Sequence, residues 1–456
     1  MRKYLNASEH STICALATPA GGAIGIVRLS GPNAISITDS LFSGRLSEAK
    51  PSSLHYGNFY DARGGLLDDV VVGLWKAPHS FTGEDCVEIS CHGSEYILGQ
   101  VLQALIDKGC RQAGPGEYTM RAYLNGKMDL SQAEAVADLV ASTNKASQQA
   151  AISQMKGHFS SELADLREQL LKMTSLIELE LDFSDHEELE FADRDQLKQI
   201  AETIEKKLSQ LIDSYSTGQA LKKGVNVAIV GATNVGKSTL LNQLLQEDKA
   251  IVSPIAGTTR DIVDGTTIIK GITFRFVDTA GIRTTNDEIE LLGINRTFMQ
   301  LQGARVVLYV TDNGKLDSDF QTVEQQVKGR ALVIVENKTD LHTASLKNND
   351  YPVCAISAKK GKGIAELRNI IYESAGIQDV NESSIIVTNS RHYNALLRAY
   401  KSITGVRKAL DSQLSADLIA EDLHLCSDAL ADITGVSRIT PTETLHSIFS
   451  HFCIGK

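Results

Sequence analysis

One segment restricts the fold more than any other: Gly231-Ala-Thr-Asn-Val-Gly236-Lys237-Ser238, set between the hydrophobic run Val225 to Val230 and the helix-forming stretch Leu240 to Leu245. A strand that turns through glycines into a helix headed by Lys-Ser is the order a phosphate loop requires. Its backbone N–H groups and the helix N-terminus would cradle phosphates, Lys237 would reach the β and γ phosphates, and Ser238 would hold magnesium. The surrounding residues agree. From Val225 to about Ser374 the runs Thr273 to Val277, Arg305 to Val310, Ala331 to Val335 and Val353 to Ile356 alternate with helical patterns, which predicts a parallel-sheet α/β domain.

Four further segments follow in an order that specifies the nucleotide. Asp278-Thr279-Ala280-Gly281 comes directly after the run Thr273 to Val277, offering a carboxylate to the magnesium shell and a glycine amide to the γ phosphate. Asn337-Lys338-Thr339-Asp340 follows Ala331 to Val335, and the Asp340 carboxylate can accept from both the ring N–H and the exocyclic amine of guanine. Adenine lacks that pair of donors, and an acceptor left unpaired rejects it. Ser357-Ala358-Lys359 would close over the base, and Gly257-Thr258-Thr259-Arg260-Asp261 supplies a switch threonine. The predicted GTP contacts are Asn234, Val235, Gly236, Lys237, Ser238 and Thr239, then Gly257, Thr258 and Thr259, then the three segments beginning at Asp278, Asn337 and Ser357. Ser238 and Thr259 are the predicted magnesium ligands. Regulatory GTPases carry a water-orienting glutamine immediately after the glycine of the Asp-Thr-Ala-Gly segment; this chain has Ile282, so another group must do that work.

The chain has 456 residues, enough for about three domains. Forty-five Lys and Arg against 56 Asp and Glu give a net charge of −11, so nucleic acid must be met by a local basic patch or by another subunit. One such patch, Arg391 to Lys408, carries five cations and two tyrosines without an acid, although a solvated helix face balanced by later carboxylates explains it more simply. No apolar run approaches the ~18 residues of a bilayer span, which predicts a cytoplasmic protein away from membranes. Seven cysteines without a Cys-x-x-Cys pair predict reduced thiols and no structural zinc.

The texture predicts four segments. Residues 1–126 read as a mixed α+β domain with strands at Gly25 to Leu29, Asp69 to Trp75 and Cys86 to Ser90. Residues 127–222 read as long helices, with an acidic turn from Asp182 to Asp195. Residues 223–378 are the α/β domain, and 379–456 return to helix, with apolar positions at Ala395, Leu396, Ala399 and Ile403 and then at Leu414, Leu418, Leu423 and Leu430. The expected fold is a multidomain α/β protein in which a Ras-like P-loop GTPase domain is inserted into a helical domain.

Beyond the GTPase motifs, the chain carries Gly22-Ala-Ile-Gly-Ile-Val-Arg-Leu-Ser-Gly31, Phe81-Thr-Gly-Glu-Asp85, Gly114-Pro-Gly-Glu-Tyr-Thr-Met-Arg-Ala-Tyr-Leu-Asn-Gly-Lys127 and a terminal Phe452-Cys-Ile-Gly-Lys456. Over its whole length it resembles the MnmE (TrmE) family of tRNA uridine-modifying GTPases. The resemblance implies a folate-binding, dimerising N-terminal domain, with Arg28, Glu88, Lys127 and Lys456 as folate contacts and 5,10-methylene-tetrahydrofolate, or 5-formyl-tetrahydrofolate as its analogue, in the pocket. It implies an FAD-dependent GidA (MnmG) partner in a heterotetramer, with the wobble uridine of tRNA gaining an aminomethyl or carboxymethylaminomethyl group. The resemblance adds Ser253, Pro254, Ile255 and Ala256 to the GTP contacts. It also implies a potassium site at Asn234, Ser253, Ile255 and Thr258, where Ser253-Pro254 departs from the family's usual Thr-Asp, and catalytic roles for Glu290, in orienting water, and for Cys453. A terminal Cys-Ile-Gly-Lys has the spacing of a prenylation box, but lysine is a poor last residue for one. The competing function is a regulatory or ribosome-assembly GTPase without folate chemistry.

Overall fold

The computed structural model describes residues 11–182, 194–246, 265–278, 303–312, 314–316, 318–377, 384–412, 414–435, 448–450 and 452–455. The acidic turn Asp182 to Asp195 therefore falls almost wholly outside the described residues. Two compact units emerge: residues 1–140, 154–205 and 398–456 form one, and residues 141–153 and 206–397 the other.

The first unit is built on β1 (Ile13–Leu16), β2 (Ile24–Ser30), α1 (Ala34–Asp39), β3 (Ser53–Tyr60), β4 (Leu66–Trp75), β5 (Cys86–His92), α2 (Glu95–Asp107), β6 (Arg111–Gln112) and α3 (Glu117–Leu124). Its sheet runs in the order β3-β4-β5-β2-β1-β6, antiparallel except where β6 joins β1. The three predicted strands are present; β1 and β3 were not foreseen, because Ile13–Leu16 is short and β3 alternates around exposed Leu54 and Tyr56. Alternation sorts each strand's side chains to two faces. Val27, Leu29, Val72, Leu74, Val87 and Ile89 are buried in one core with Leu98, Val101 and Leu105 of α2. The intervening residues occupy the opposite face, where the register sets Arg28 beside Glu88 and Glu88 beside Gly73.

Helices α4 (Leu130–Val140), α5 (Lys145–Met155) and α6 (His158–Asp182) follow, then α7 (Arg194–Lys223). Leu163, Leu166, Leu170, Met173 and Ile177 of α6 are buried, the periodicity an amphipathic helix needs.

The second unit contains β7 (Val225–Gly231), α8 (Lys237–Gln246), β8 (Gly265–Ile269), β9 (Ile272–Asp278), β10 (Val306–Thr311), α9 (Ser318–Gln326), β11 (Ala331–Glu336), β12 (Val353–Ala355) and α10 (Ile364–Ser374). The sheet order is β12-β11-β10-β7-β9-β8. All the predicted runs are parallel strands, and the central three, β7, β10 and β11, are buried on both faces as the middle of such a sheet must be. The prediction of an all-parallel sheet is corrected at one edge, because β8 pairs antiparallel with β9. Lys270 and Gly271 both have positive φ (48° and 82°), the primed-turn geometry of a two-residue hairpin.

Helices α11 (Ser390–Asp411) and α12 (Ala416–Thr434) follow, with the tail residues 448–450 and 452–455 after them. Ala395, Leu396, Ala399, Ile403, Leu423 and Leu430 are buried as expected, but Leu414 and Leu418 are exposed; Ile419 and Cys426 complete the buried stripe of α12. The cationic segment at α11 is answered by carboxylates: Arg398 pairs with Asp432 at 2.9 Å, and Arg407 with Glu205 at 2.7 Å. Six cysteines are buried and Cys453 is exposed. Among the described residues, no helix is long and apolar enough to cross a membrane and no cluster of His, Cys, Asp and Glu could hold a metal.

Candidate functional site

The phosphate loop lies between β7 and α8, where its sequence required it. Gly231 (φ +147°) could not carry a side chain, because a Cβ would overlap the Val310 carbonyl oxygen on neighbouring β10. Gly236 (φ +97°) is constrained likewise by the Asn337 amide. A close backbone turn of this kind turns N–H groups inward and suits an anion. The Lys237 ammonium donates to the carbonyls of Gly231 and Ala232, at 2.8 Å each, so the cation rests over the loop that would hold phosphate. Ser238 stands in the first turn of α8.

Asn337 joins two of the predicted segments. It is 2% exposed; its Nδ2 donates to the Val235 carbonyl at 2.8 Å, and its Oδ1 accepts from the Ala358 N–H at 2.9 Å. Asp340 accepts from the Ser357 hydroxyl at 2.6 Å, and that bond holds its carboxyl below the usual carboxylate range. It therefore stays ionised at neutral pH, as an acceptor of two guanine donors must. The Lys338 ammonium lies 2.7 Å from the Asn234 carbonyl and 2.6 Å from Asp312 Oδ2. Glu336, 1% exposed, accepts from the Ser345 and Leu346 N–H groups and so shapes the turn that follows the base-reading segment. The structure thus gathers Asn234 to Thr239, Asn337 to Asp340 and Ser357 to Lys359 at the carboxyl end of the sheet. Asp278 closes β9 beside Ile229 of β7. Ser253 to Thr259, Thr279 to Gly281, Ile282 and Glu290 lie outside the described residues.

The first unit holds a cavity of about 350 Å³ lined by Arg28, Trp75, Phe81, Thr82, Cys86, Glu88 and Val136. Arg28 Nε and Nη2 both reach Glu88 Oε1, at 2.8 and 2.7 Å. Arg28 is itself placed by Tyr118, whose buried hydroxyl donates to the Arg28 carbonyl at 2.7 Å and whose ring lies 5.7 Å under the guanidinium. Its Nη1 donates to the Gly455 carbonyl at 3.0 Å, which brings the C-terminal tail to the cavity. The tail is seated by a bridge between Ile454 and Pro115, and by Gly455 (φ +97°), where any Cβ would overlap the Leu16 carbonyl oxygen.

Two of the predicted folate contacts, Arg28 and Glu88, thus stand together in one cavity. Lys127 is not among the lining residues; its ammonium donates to the Pro78 carbonyl at 3.0 Å, beside the loop that supplies Phe81 and Thr82. Cys453 is exposed, and Lys456 lies outside the described residues. Trp75, Phe81, Thr82, Cys86 and Val136 were missed. The one usable signal was Trp75, the only tryptophan in the chain. Gly73 leaves its ring room, since a Cβ there would meet the indole at 2.8 Å.

A buried polar chain backs the cavity. Ser30 donates to Glu84 at 2.6 Å and lies 2.7 Å from Thr82 Oγ1. Because Ser30 gives its only proton to Glu84, Thr82 must donate to Ser30. Glu84 is held in turn by Arg121, which also pairs with Glu117, and Glu117 with Arg111. Burial alone would raise the Glu117 carboxyl, but the Arg111 guanidinium and the Gly114 N–H outweigh it and hold the group below its ordinary range.

Comparison with known proteins gives a consistent result. A family described as GTP-binding protein TrmE N-terminus matches residues 12–127, and one described as MnmE helical domain matches residues 130–453. A relative from Bacteroides thetaiotaomicron, a tRNA modification GTPase MnmE, is 52% identical over 468 residues, covering 98% of this chain and 100% of the relative. One from Parabacteroides distasonis, of the same name, is 51% identical over 462 residues with the same coverage. Among solved structures, Aquifex aeolicus Era bound to GDP and aluminium fluoride is 27% identical over 39% of this chain and 66% of its own, with a TM-score of 0.27.

Proposed function

The chain belongs to the MnmE family of tRNA modification GTPases and is a GTP hydrolase acting in tRNA modification, and from that premise we propose how its two sites divide the work. The nucleotide unit binds GTP with magnesium at Ser238 and Thr259 and with potassium at Asn234, Ser253, Ile255 and Thr258, and Glu290 orients water where Ile282 cannot. The cavity of the first unit takes a reduced folate, 5,10-methylene-tetrahydrofolate, as the one-carbon donor. With an FAD-dependent partner of the GidA (MnmG) kind, the protein adds an aminomethyl or carboxymethylaminomethyl group at carbon five of the wobble uridine. It works in the cytoplasm as a homodimer and, with that partner, as a heterotetramer.

The residues fit these groups. A volume of about 350 Å³ lies at the small end of ligand pockets and accommodates a heterocycle better than a whole cofactor. Trp75 and Phe81 supply apolar walls, Glu88 can accept from an N–H edge, and Arg28 can bind an anionic or carbonyl group. In the nucleotide unit Lys237 and the loop amides receive phosphates, while Asp340, fixed by Ser357, selects guanine. Dimerisation through the first unit is supported by exposed Ile24, Leu54, Tyr56, Leu66 and Val71 on its sheet strands.

The observation that carries the reading is the bond from Arg28 to the Gly455 carbonyl, because it puts the segment bearing Cys453 next to the cavity. A thiol there can serve as nucleophile or as acid and base. Mass spectrometry of tRNA nucleosides tests the proposal in cells lacking the protein and in cells carrying Cys453→Ser. Loss of the wobble modification in both, with GTP hydrolysis by the purified variant retained, is expected. Unchanged nucleosides in the deletion would leave only a GTPase switch without one-carbon chemistry.

A further inference from the structure

The sequence offers no reason to single out Asp312; the geometry does. It follows β10 directly, between the end of β7 that opens the phosphate loop and the end of β11 that opens the base-reading segment. Its Oδ2 is 2.6 Å from the Lys338 ammonium, which is also 2.7 Å from the Asn234 carbonyl. One cation therefore ties the carboxyl ends of three adjacent parallel strands. Lys338 itself (φ +61°) and Asn234 (φ +65°) both occupy a region that side-chain-bearing residues avoid unless their surroundings hold them there. The side chains of Lys338 and Asp312 are 34% and 29% exposed, so the pair does little for stability.

We propose that Asp312 is a positioning residue for nucleotide binding. Its carboxylate keeps the Lys338 ammonium on the Asn234 carbonyl, and so holds the phosphate loop in register with the guanine-reading segment before nucleotide arrives. It also neutralises Lys338. Without that counter-charge, a four-carbon stem lets the ammonium swing into water or toward the incoming phosphates. Preorganisation of this kind acts on binding more than on the chemical step.

The test is a set of variants of the full-length protein, read by KM and kcat for GTP, by the off-rate of a fluorescent GDP analogue and by thermal melting. Asp312→Ala should raise KM and the off-rate about tenfold while kcat changes less than about twofold. Asp312→Glu should recover most of the loss, because its carboxylate can still reach the ammonium. Lys338→Met should reproduce the Asp312→Ala effect, and the double variant should be no worse than either single, since one residue acts through the other. An unchanged KM and off-rate in Asp312→Ala, or additive losses in the double variant, would overturn the inference. So would a parallel fall in kcat, nucleotide affinity and melting temperature, which would mark an ordinary structural residue.

Discussion

Replacing Gly455 with alanine should detach the tail from the cavity without unfolding anything else. At φ +97° a side chain costs about 1–2 kcal/mol in backbone strain. The new Cβ would also overlap the carbonyl oxygen of Leu16, which lies in β1 and is fixed by pairing to β2. The strand cannot yield, so the tail must move. Moving it gives up the bond from Arg28 to the Gly455 carbonyl, worth about 1–2 kcal/mol for a charged donor that is partly open to solvent. Together these terms disfavour the docked tail by about 3 kcal/mol, which is roughly a hundredfold in its population. The loss stays local, because Phe449, 2% exposed and packed on Leu130 and Ala133, still anchors the chain upstream. Amide hydrogen exchange of a peptide covering residues 448–455 should rise in Gly455→Ala, and the fraction of modified wobble uridine in cells should fall, while GTP hydrolysis and the main melting transition stay within error of wild type. Wild-type exchange together with wild-type modification would refute the idea that the tail's seat depends on this glycine.

Asp340→Asn should shift preference from GTP toward xanthosine triphosphate, since the amide offers a donor where xanthine has a carbonyl; competition binding checks it, and an unchanged preference would remove Asp340 from base reading. GTP hydrolysis should be supported by potassium and poorly by sodium, which matched buffers at constant ionic strength would show; equal rates would exclude a cation role for Asn234. Glu117 lies between Arg111 and Arg121 with its carboxyl held low, so its stabilisation of the first unit is present above the ordinary glutamate pKa and is lost as pH falls through the lowered value. Glu117→Gln should therefore cost about 3 kcal/mol at neutral pH, and denaturant melts should show the gap to wild type closing on acidification; a gap independent of pH would disprove the assignment.

The nucleotide site was legible because its chemistry is local. Each segment is a few residues long, each follows a strand whose hydrophobic run announces it, and a parallel sheet delivers all the carboxyl ends to one edge. The bonds that join the segments could not be read. Asn337 is predicted by sequence as a nucleotide contact, yet its two amide bonds go to the Val235 carbonyl and the Ala358 N–H, about one hundred and twenty residues apart in sequence. Asp312 gives no sign at all, because a lone acid after a strand is ordinary until Lys338 is seen to touch it. The antiparallel β8 escaped for a similar reason: a five-residue edge strand is defined by its partner more than by its own composition.

The cavity shows where resemblance and physics part. Within the segment Gly114 to Lys127, which carries much of the family likeness, only Lys127 was assigned to the ligand, and it lies outside the cavity lining. Four of the segment's other residues act on the protein. Tyr118 holds the backbone and guanidinium of Arg28; Glu117 and Arg121 anchor Glu84 and, through Ser30, the lining residue Thr82; Pro115 bridges to Ile454. A run this tightly specified can owe its pattern to scaffolding as well as to ligand contact. Scaffolding also explains why the terminal residues belong to the site: Gly116 (φ +62°) has no room for a Cβ beside Phe449 and Phe452, so the segment and the tail must form one seat. A change at Gly116 should therefore resemble a change at Gly455 more than a change at Glu88. Gly116→Ala should loosen the tail and raise exchange across residues 448–455 while leaving the Arg28–Glu88 pair in place.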